Sequence, residues 1–297
     1  MCGIVGLFLK DKTLEPRLGA LLEDMLIKMS DRGPDSAGIA VYGAGRDGLT
    51  KITLQSHQPQ TEFPRLSQRL DAAGLKVTMQ LKDTHAVIGL PQGEETQLHN
   101  LLTAEVPEMR VMSRGETIEI YKEVGQPSAV ASRFGLAGMG GTHGIGHTRM
   151  ATESAVTTMG AHPFSTGADQ CLVHNGSLSN HNSLRRRLRH QGMRFETDND
   201  TEVAASYLTY RMQEGASLGE ALESSLSDLD GFYTFVVGTK DGFGVLRDPI
   251  ACKPAVMAET DRYVAFGSEY RALVNLPDIE GARVWEPEPA TVYFWKH

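Results

Sequence analysis

Cysteine is scarce in this sequence: Cys2, Cys171 and Cys252 are the only three among 297 residues. Odd in number, widely separated and without a C-x-x-C pair, they argue against a disulfide framework and a thiolate zinc site, and they fit a reducing cytoplasm. A long apolar run is missing too. The stretch from Cys2 to Leu9 is too short to span a bilayer and has neither a basic leader nor a cleavage signature, so it reads as a buried strand rather than a signal peptide or anchor. Residue two is not the glycine that myristoylation needs, and the final FWKH is no prenylation box. The third absence is basic excess. With 29 Lys and Arg against 37 Asp and Glu, the net charge of -8 gives no general attraction to nucleic acid or an anionic membrane.

Three local patterns also fall short of a cofactor or nucleic-acid site. GLAGMGGTHG is glycine-rich but leads into a strand instead of opening a helix after one, so it fails the dinucleotide pattern. His143 and His147 in HGIGH have i, i+4 spacing, yet glycines lie between them and no carboxylate or cysteine ligand accompanies them; no metal is expected. Arg185, Arg186, Arg187 and Arg189 spread over more than one face of a predicted helix without interleaved aromatics, as a solvated surface or a subunit contact would. Cys171 and Cys252 read as structural.

What is present is the composition of an ordinary globular chain, long enough for one large domain or two small ones. Leu18, Leu21, Leu22, Met25, Leu26 and Met29 recur at helical spacing and predict a helix with one buried face, ending at Asp31-Arg32-Gly33. SAGIAVYG reads as a strand. From about Leu49 to Gly125 the order is strand, helix, strand, strand, helix, strand, with a hairpin at the end, the order of a small ferredoxin-like unit. Downstream, CLVHNG, FYTFVVGT, FGVLRD, YVAFGSE and ATVYFW are strands among three helices, and the KDG turn of FVVGTKDGFGVL favours antiparallel pairing. An α+β chain with helices layered around mainly antiparallel sheets is expected.

Chemistry concentrates in MCGIVG, DRGPDSAG, GHTRMAT, HNGSLSN and DNDTE. Cys2 is either a small apolar residue opening a strand or a nucleophile that becomes the amino terminus once Met1 is removed. In the second case its own α-amino group, with an unperturbed pKa of roughly 7.7–8.0, is a built-in base. Asn175 and Gly176 are either a simple Asn-Gly turn or two donors, one side-chain amide and one backbone N–H, for a developing oxyanion. Arg149 offers a planar fork for a carboxylate and Asp200 an anion for an ammonium, a pair that a free amino acid needs; each could equally be one half of a surface ion pair.

Taken in order, and with AHPF, DGFYTFVV, RDPIACKP and FGSEYRAL following, these segments resemble the class II glutamine amidotransferases, whose glutaminase domain has the N-terminal nucleophile hydrolase fold. The resemblance covers nearly the whole chain except the middle insert. It implies a four-layer αββα sandwich at residues 2–50 and 131–297, interrupted by an inserted ferredoxin-like subdomain at 51–130. It implies Cys2, Asn175 and Gly176 as catalytic residues. The implied glutamine-binding set is Arg149, Asp200, Arg32, Thr152 and His162, with Asp35 and Gly33 shaping the loop of Arg32. The implied activity is hydrolysis of glutamine to glutamate and ammonia through a Cys2 thioester. The sequence is read as carrying no acceptor domain, so the nitrogen is expected to pass to separate synthase subunits. Length and arrangement resemble the glutaminase subunit of N-methylglutamate synthase and its glutamate-synthase-like relatives. This implies a hetero-oligomer whose other subunits are an FMN-binding synthase and a β-helix-type protein. FMN, and with it an iron–sulfur cluster, is then expected on the partners, with no cofactor in this chain. The competing readings are a non-catalytic scaffold of the same fold and a glutaminase subunit of another aminating pathway.

Overall fold

The computed structural model describes residues 2–45, 48–151 and 155–297. In the first half, β1 (Gly3–Leu9), α1 (Leu18–Ile27) and β2 (Ser36–Tyr42) precede an insert of β3 (Leu49–Gln55), α2 (Pro59–Ala72), β4 (Thr78–Lys82), β5 (His85–Pro91), α3 (Glu95–Glu105) and β6 (Arg110–Gly115). The chain continues through β7 (Ile118–Val124), α4 (Pro127–Phe134), β8 (His143–Arg149), β9 (Cys171–Leu178), α5 (His181–His190), α6 (Asp200–Gln213) and α7 (Leu218–Asp228). It ends with β10 (Gly231–Thr239), β11 (Gly242–Arg247), β12 (Val256–Glu259), β13 (Tyr263–Gly267), β14 (Arg283–Trp285) and β15 (Val292–Lys296).

β1 is buried along its whole length because it is covered on both faces. Successive strand side chains point to opposite faces, so Ile4 and Phe8 enter a core shared with a second sheet while Val5, Leu7 and Leu9 meet α1. The large sheet runs β14-β12-β13-β1-β8-β2-β7, and the facing sheet runs β15-β11-β10-β9. All their pairings are antiparallel. Tyr42, Ile145, Val173, Val236 and Phe243 fill the space between them. Leu18, Leu22 and Leu26 of α1 cover the outside of the large sheet, and Leu188, Val203, Leu208 and Leu222 from α5, α6 and α7 cover the outside of the other. This is the expected four-layer αββα sandwich.

The third sheet runs β4-β5-β3-β6. Numbered within the insert, its strands lie in the order second, third, first, fourth, which is the ferredoxin-like arrangement. Phe63, Leu66 and Leu70 of α2 and Leu98 and Leu102 of α3 pack on it. Its limits differ from the expected 51–130. β7 pairs with β2 from Ser36↔Val124 to Tyr42↔Ile118 and so belongs to the large sheet, and α4 packs Val130 and Phe134 against Ala37 and Tyr121 of the same sheet. Local alternation makes β6 and β7 look like one hairpin; a distant side chain divides them. The Asp169 carboxylate accepts the N–H groups of Glu116 at 2.7 Å, Thr117 at 2.8 Å and Ile118 at 3.0 Å, turning the chain from one sheet to the next. Gly115 lets that carboxylate close in, since a Cβ there would lie 2.3 Å from it.

Two other expectations change. Cys171 is buried, accepts the Tyr42 O–H at 3.4 Å and has its thiol pushed up to about 11 by burial, but Cys252 is exposed and holds nothing together. Arg185 is buried rather than solvated. Among the described residues no helix is long and apolar enough to cross a membrane.

Gly43 N–H donates to the Thr117 carbonyl at 3.1 Å, so the chain leaves and re-enters the large sheet at neighbouring points. Replacing residues 44–116 by a two-residue Asn-Gly turn, the favoured hairpin connection, is expected to give a protein that melts in one cooperative transition. Removing residues 52–126 takes β7 away as well and is expected to abolish that transition in a calorimetric scan.

Candidate active site

β1 is flanked by β13 and β8. The register sets Gly3 against Thr148, which brings Cys2 alongside Arg149 at the end of β8. Cys2 keeps part of its surface exposed. Its carbonyl oxygen accepts from Arg32 Nε at 2.9 Å and from Asn175 Nδ2 at 3.3 Å. Arg32 stands in a single 3-10 turn after α1, and its Nη1 pairs with Glu269 Oε1 at 2.6 Å while Arg271 Nε holds Glu269 Oε2 at 2.7 Å. Arg32 is therefore turned to the backbone of Cys2.

Asn175 and Gly176 sit on β9 opposite Thr234 and Tyr233. Gly176 has φ 153°, and a Cβ there would fall 2.0 Å from the Phe232 carbonyl oxygen, so a larger residue would push β9 off β10. Asp200 opens α6. Its N-cap, Asn199, accepts the Thr201 N–H at 2.9 Å, and Arg185 Nη2 donates to the Asn199 carbonyl at 3.1 Å; side-chain caps of this kind fix where a helix starts. Asp200 Oδ2 accepts the Leu178 N–H at 2.9 Å, and Oδ1 lies 3.6 Å from His174 Nδ1. Burial pushes the carboxyl up, but His174 and the Leu178 N–H outweigh it and hold Asp200 down to about 2, so it is an anion at neutral pH.

Arg149 is buried and donates from Nη1 to the Ala155 carbonyl at 3.4 Å. Asp35 pins the turn that follows: its N–H donates to the Arg149 carbonyl at 3.1 Å and its Oδ2 accepts the Ala151 N–H at 2.8 Å. Thr152 lies outside the described residues. His162 is buried, with Nε2 2.7 Å from Thr201 Oγ1 and its ring stacked on His147 at 4.0 Å between centroids. Thr201 Oγ1 also lies 3.0 Å from His174 Nδ1. Burial, followed by the neighbouring histidines, drives His162 well below the ordinary value, and burial takes His147 to about 3, so both rings are neutral. His162 thus stands against Thr201, the neighbour of Asp200 at the start of α6.

The arrangement gathers a thiol, an amide donor beside it, a fixed cation and a fixed anion around the ends of β1, β8 and β9 and the start of α6. Three contributors had no role in the sequence reading. Glu269 lies 237 residues from Arg32 in the chain and no local pattern links them. Thr201 was visible only as part of DNDTE. Arg185 was hidden in an arginine-rich helix whose surface members it resembles.

A family model described as a glutamine amidotransferase domain matches residues 147–275. The glutamine amidotransferase-like protein GlxB of Rhizobium meliloti is 66% identical over 297 residues, spanning 100% of this chain and 99% of that protein. The chain belongs to the class II glutamine amidotransferase family. Among solved structures of this fold, the glutamine phosphoribosylpyrophosphate amidotransferase of B. subtilis superposes with a TM-score of 0.63 at 20% identity, covering 99% of this chain and 47% of that one. The structure described as the allosteric regulatory enzyme of purine biosynthesis gives 0.65 at 21%, with the same two coverages of 99% and 47%. The present chain spans about half the length of both.

For this amidotransferase, replacing Arg32 by Ala removes a charged donor from the Cys2 carbonyl and is expected to cost about 1.5–3 kcal/mol in urea unfolding. Asp200 has a depressed value, so its stabilising charge is present above the unfolded-state 3.8 and is lost as pH falls through about 2. The stability difference between wild type and Asp200→Asn is accordingly expected to be constant from neutral pH to about pH 5 and to shrink below it.

Proposed function

We propose that this chain hydrolyses glutamine to glutamate and ammonia through a Cys2 thioester and passes the nitrogen to a separate synthase subunit, in an N-methylglutamate synthase or glutamate-synthase-like complex. The observation that carries this reading is the meeting of Arg32 and Asn175 on the Cys2 carbonyl, which sets the nucleophile beside an amide donor. With Met1 removed, the α-amino group of Cys2 takes the thiol proton as the sulfur attacks the side-chain carbonyl carbon of glutamine. The oxyanion that forms is met by Asn175 Nδ2 and the Gly176 N–H. Collapse breaks the C–N bond, the ammonium returns its proton to the leaving ammonia, and a thioester remains. Water then attacks the thioester carbonyl, glutamate leaves and the thiol is restored.

Arg149 holds the α-carboxylate of glutamine and Asp200 its ammonium. Thr201, His162 and Arg32 act through those groups, by keeping Asp200 and Cys2 where they are. The 66% identity to an amidotransferase-like protein over its full length supports the glutaminase half of this reading. The acceptor half rests on the resemblance alone: FMN-binding and β-helix-type synthase subunits carry the flavin and the iron–sulfur cluster, and the ferredoxin-like insert docks them or covers the ammonia route.

Mass spectrometry is expected to show loss of Met1, and Cys2→Ala is expected to reduce glutamate release to background. Arg149→Ala is expected to raise KM about tenfold or more with a smaller change in kcat, as for a lost charged contact made alike in ground and transition state. Fully processed protein that releases no glutamate even with its partners would overturn the proposal. Unchanged assembly of a variant lacking residues 44–116 would overturn the docking role of the insert.

A further inference from the structure

A cavity of about 500 Å³ lies between the insert and the amidotransferase body, and Cys2, Arg149, Asn175 and Asp200 take no part in its walls. That volume is in the range of small-molecule sites. Arg114 of β6 lines it from the insert and Arg194, between α5 and α6, from the body. Both arginines are exposed, and neither guanidinium has a hydrogen bond or ion pair among the described residues.

Three carboxylates share the cavity, and two are already saturated. Glu95 accepts from Thr50 Oγ1 at 2.6 Å and from the Gly93 N–H at 2.8 Å. Glu202 accepts from the Glu196 N–H at 2.7 Å, the Thr197 N–H at 2.8 Å and Thr197 Oγ1 at 2.7 Å. Glu196 is an exposed residue whose carboxyl has no such donor among the described residues; partial desolvation, followed by the charge of Glu202, raises it above the ordinary carboxylate value against the opposing charges of Arg110 and Lys122. Arg114, Arg194 and Glu196 reach the cavity without a hydrogen bond or ion pair among the described residues, with Glu95 in the field of Arg114 and Glu196 in that of Arg110 and Lys122, beside apolar wall formed by Leu98, Leu102 and Phe164. The complementary molecule carries two carboxylates, one ammonium and a short methylene chain.

We propose that this cavity binds a small amino-dicarboxylic acid such as L-glutamate and communicates with the glutamine site through the segment 159–164. Met159 and Phe164 line the cavity. Lys122 also lines the cavity; its buried Nζ donates to the carbonyls of Met159 at 3.4 Å, Ala161 at 2.8 Å and Pro163 at 3.2 Å, and lies 4.4 Å from the centre of the Phe164 ring. On its other side the same segment bonds His162 to Thr201 and packs Gly160 so closely on Arg149 that a Cβ would lie 3.2 Å from Nη1. One wall serves both sites, and a ligand that shifts Met159 or Phe164 shifts the supports of Arg149 and Asp200. Binding stands independently of the glutaminase reading; the effect on turnover rests on it.

The test is calorimetric titration of the full-length Cys2→Ala protein with L-glutamate, and with glutarate, which lacks the ammonium, in saturating glutamine. L-glutamate is expected to bind at one site, with affinity about tenfold weaker in Arg114→Ala and in Arg194→Ala. Glu196→Gln is expected to weaken L-glutamate and leave glutarate unchanged, and unaltered melting temperatures exclude unfolding of these surface variants. In active protein, L-glutamate is expected to change the KM for glutamine by about fivefold or more, an effect absent from the arginine variants. No binding, binding indifferent to both arginines, or binding abolished by glutamine would overturn the site. A protein without glutaminase activity would still give the calorimetric result, so failure of the one reading is distinguishable from failure of the other.

Discussion

The site depends on how one peptide carbonyl, that of Cys2, is held. β1 lies at the centre of the large sheet and Asn175 in the facing one, and the 3.3 Å bond from Asn175 to Cys2 joins the two sheets where β1 begins. Arg32 takes the same oxygen at 2.9 Å, fixing the first peptide plane from two directions. A residue at the start of a chain would ordinarily be frayed. Here its backbone is tied to charged and amide donors, and the side chain it carries inherits that order. Glu269 and Arg271 extend the hold by restraining Arg32 in turn.

Charge is placed with the same economy. Asp200 is stabilised as an anion by His174 and the Leu178 N–H, against its burial. The rings beneath it, His147 and His162, are kept neutral by burial, so they supply shape and hydrogen bonds but no charge. The sandwich was legible because its signals are local: helical spacing in α1, the β-α-β-β-α-β order of the insert, and strands bounded by turn residues. Cys2, Arg149, Asn175 and Asp200 were legible because each stands in a short segment with a chemical reason for its residue types.

What escaped the sequence reading was set by distant partners. β7 alternates as an insert strand would, and only its ladder with β2 assigns it to the large sheet. α4 was passed over although Pro127 opens its first turn and Gly135 closes it with φ 67°, signals that mark a helix of this length. His162 was named through the resemblance, and its contact with Thr201 is set by packing that no local pattern shows. Arg185 was grouped with its neighbours on a charged helix, but its position on the helix face carries it inward to Asn199.

Asp169 has a mechanical consequence. Its single carboxylate gathers the three successive N–H groups at the junction where the insert rejoins the body. A two-strand connection between separate sheets would otherwise behave as a loose hinge. With this clasp in place, tilting the insert means stretching three hydrogen bonds at once, so a subunit that leaned on the insert would transmit its load into β7 and the large sheet instead of dissipating it in a floppy joint.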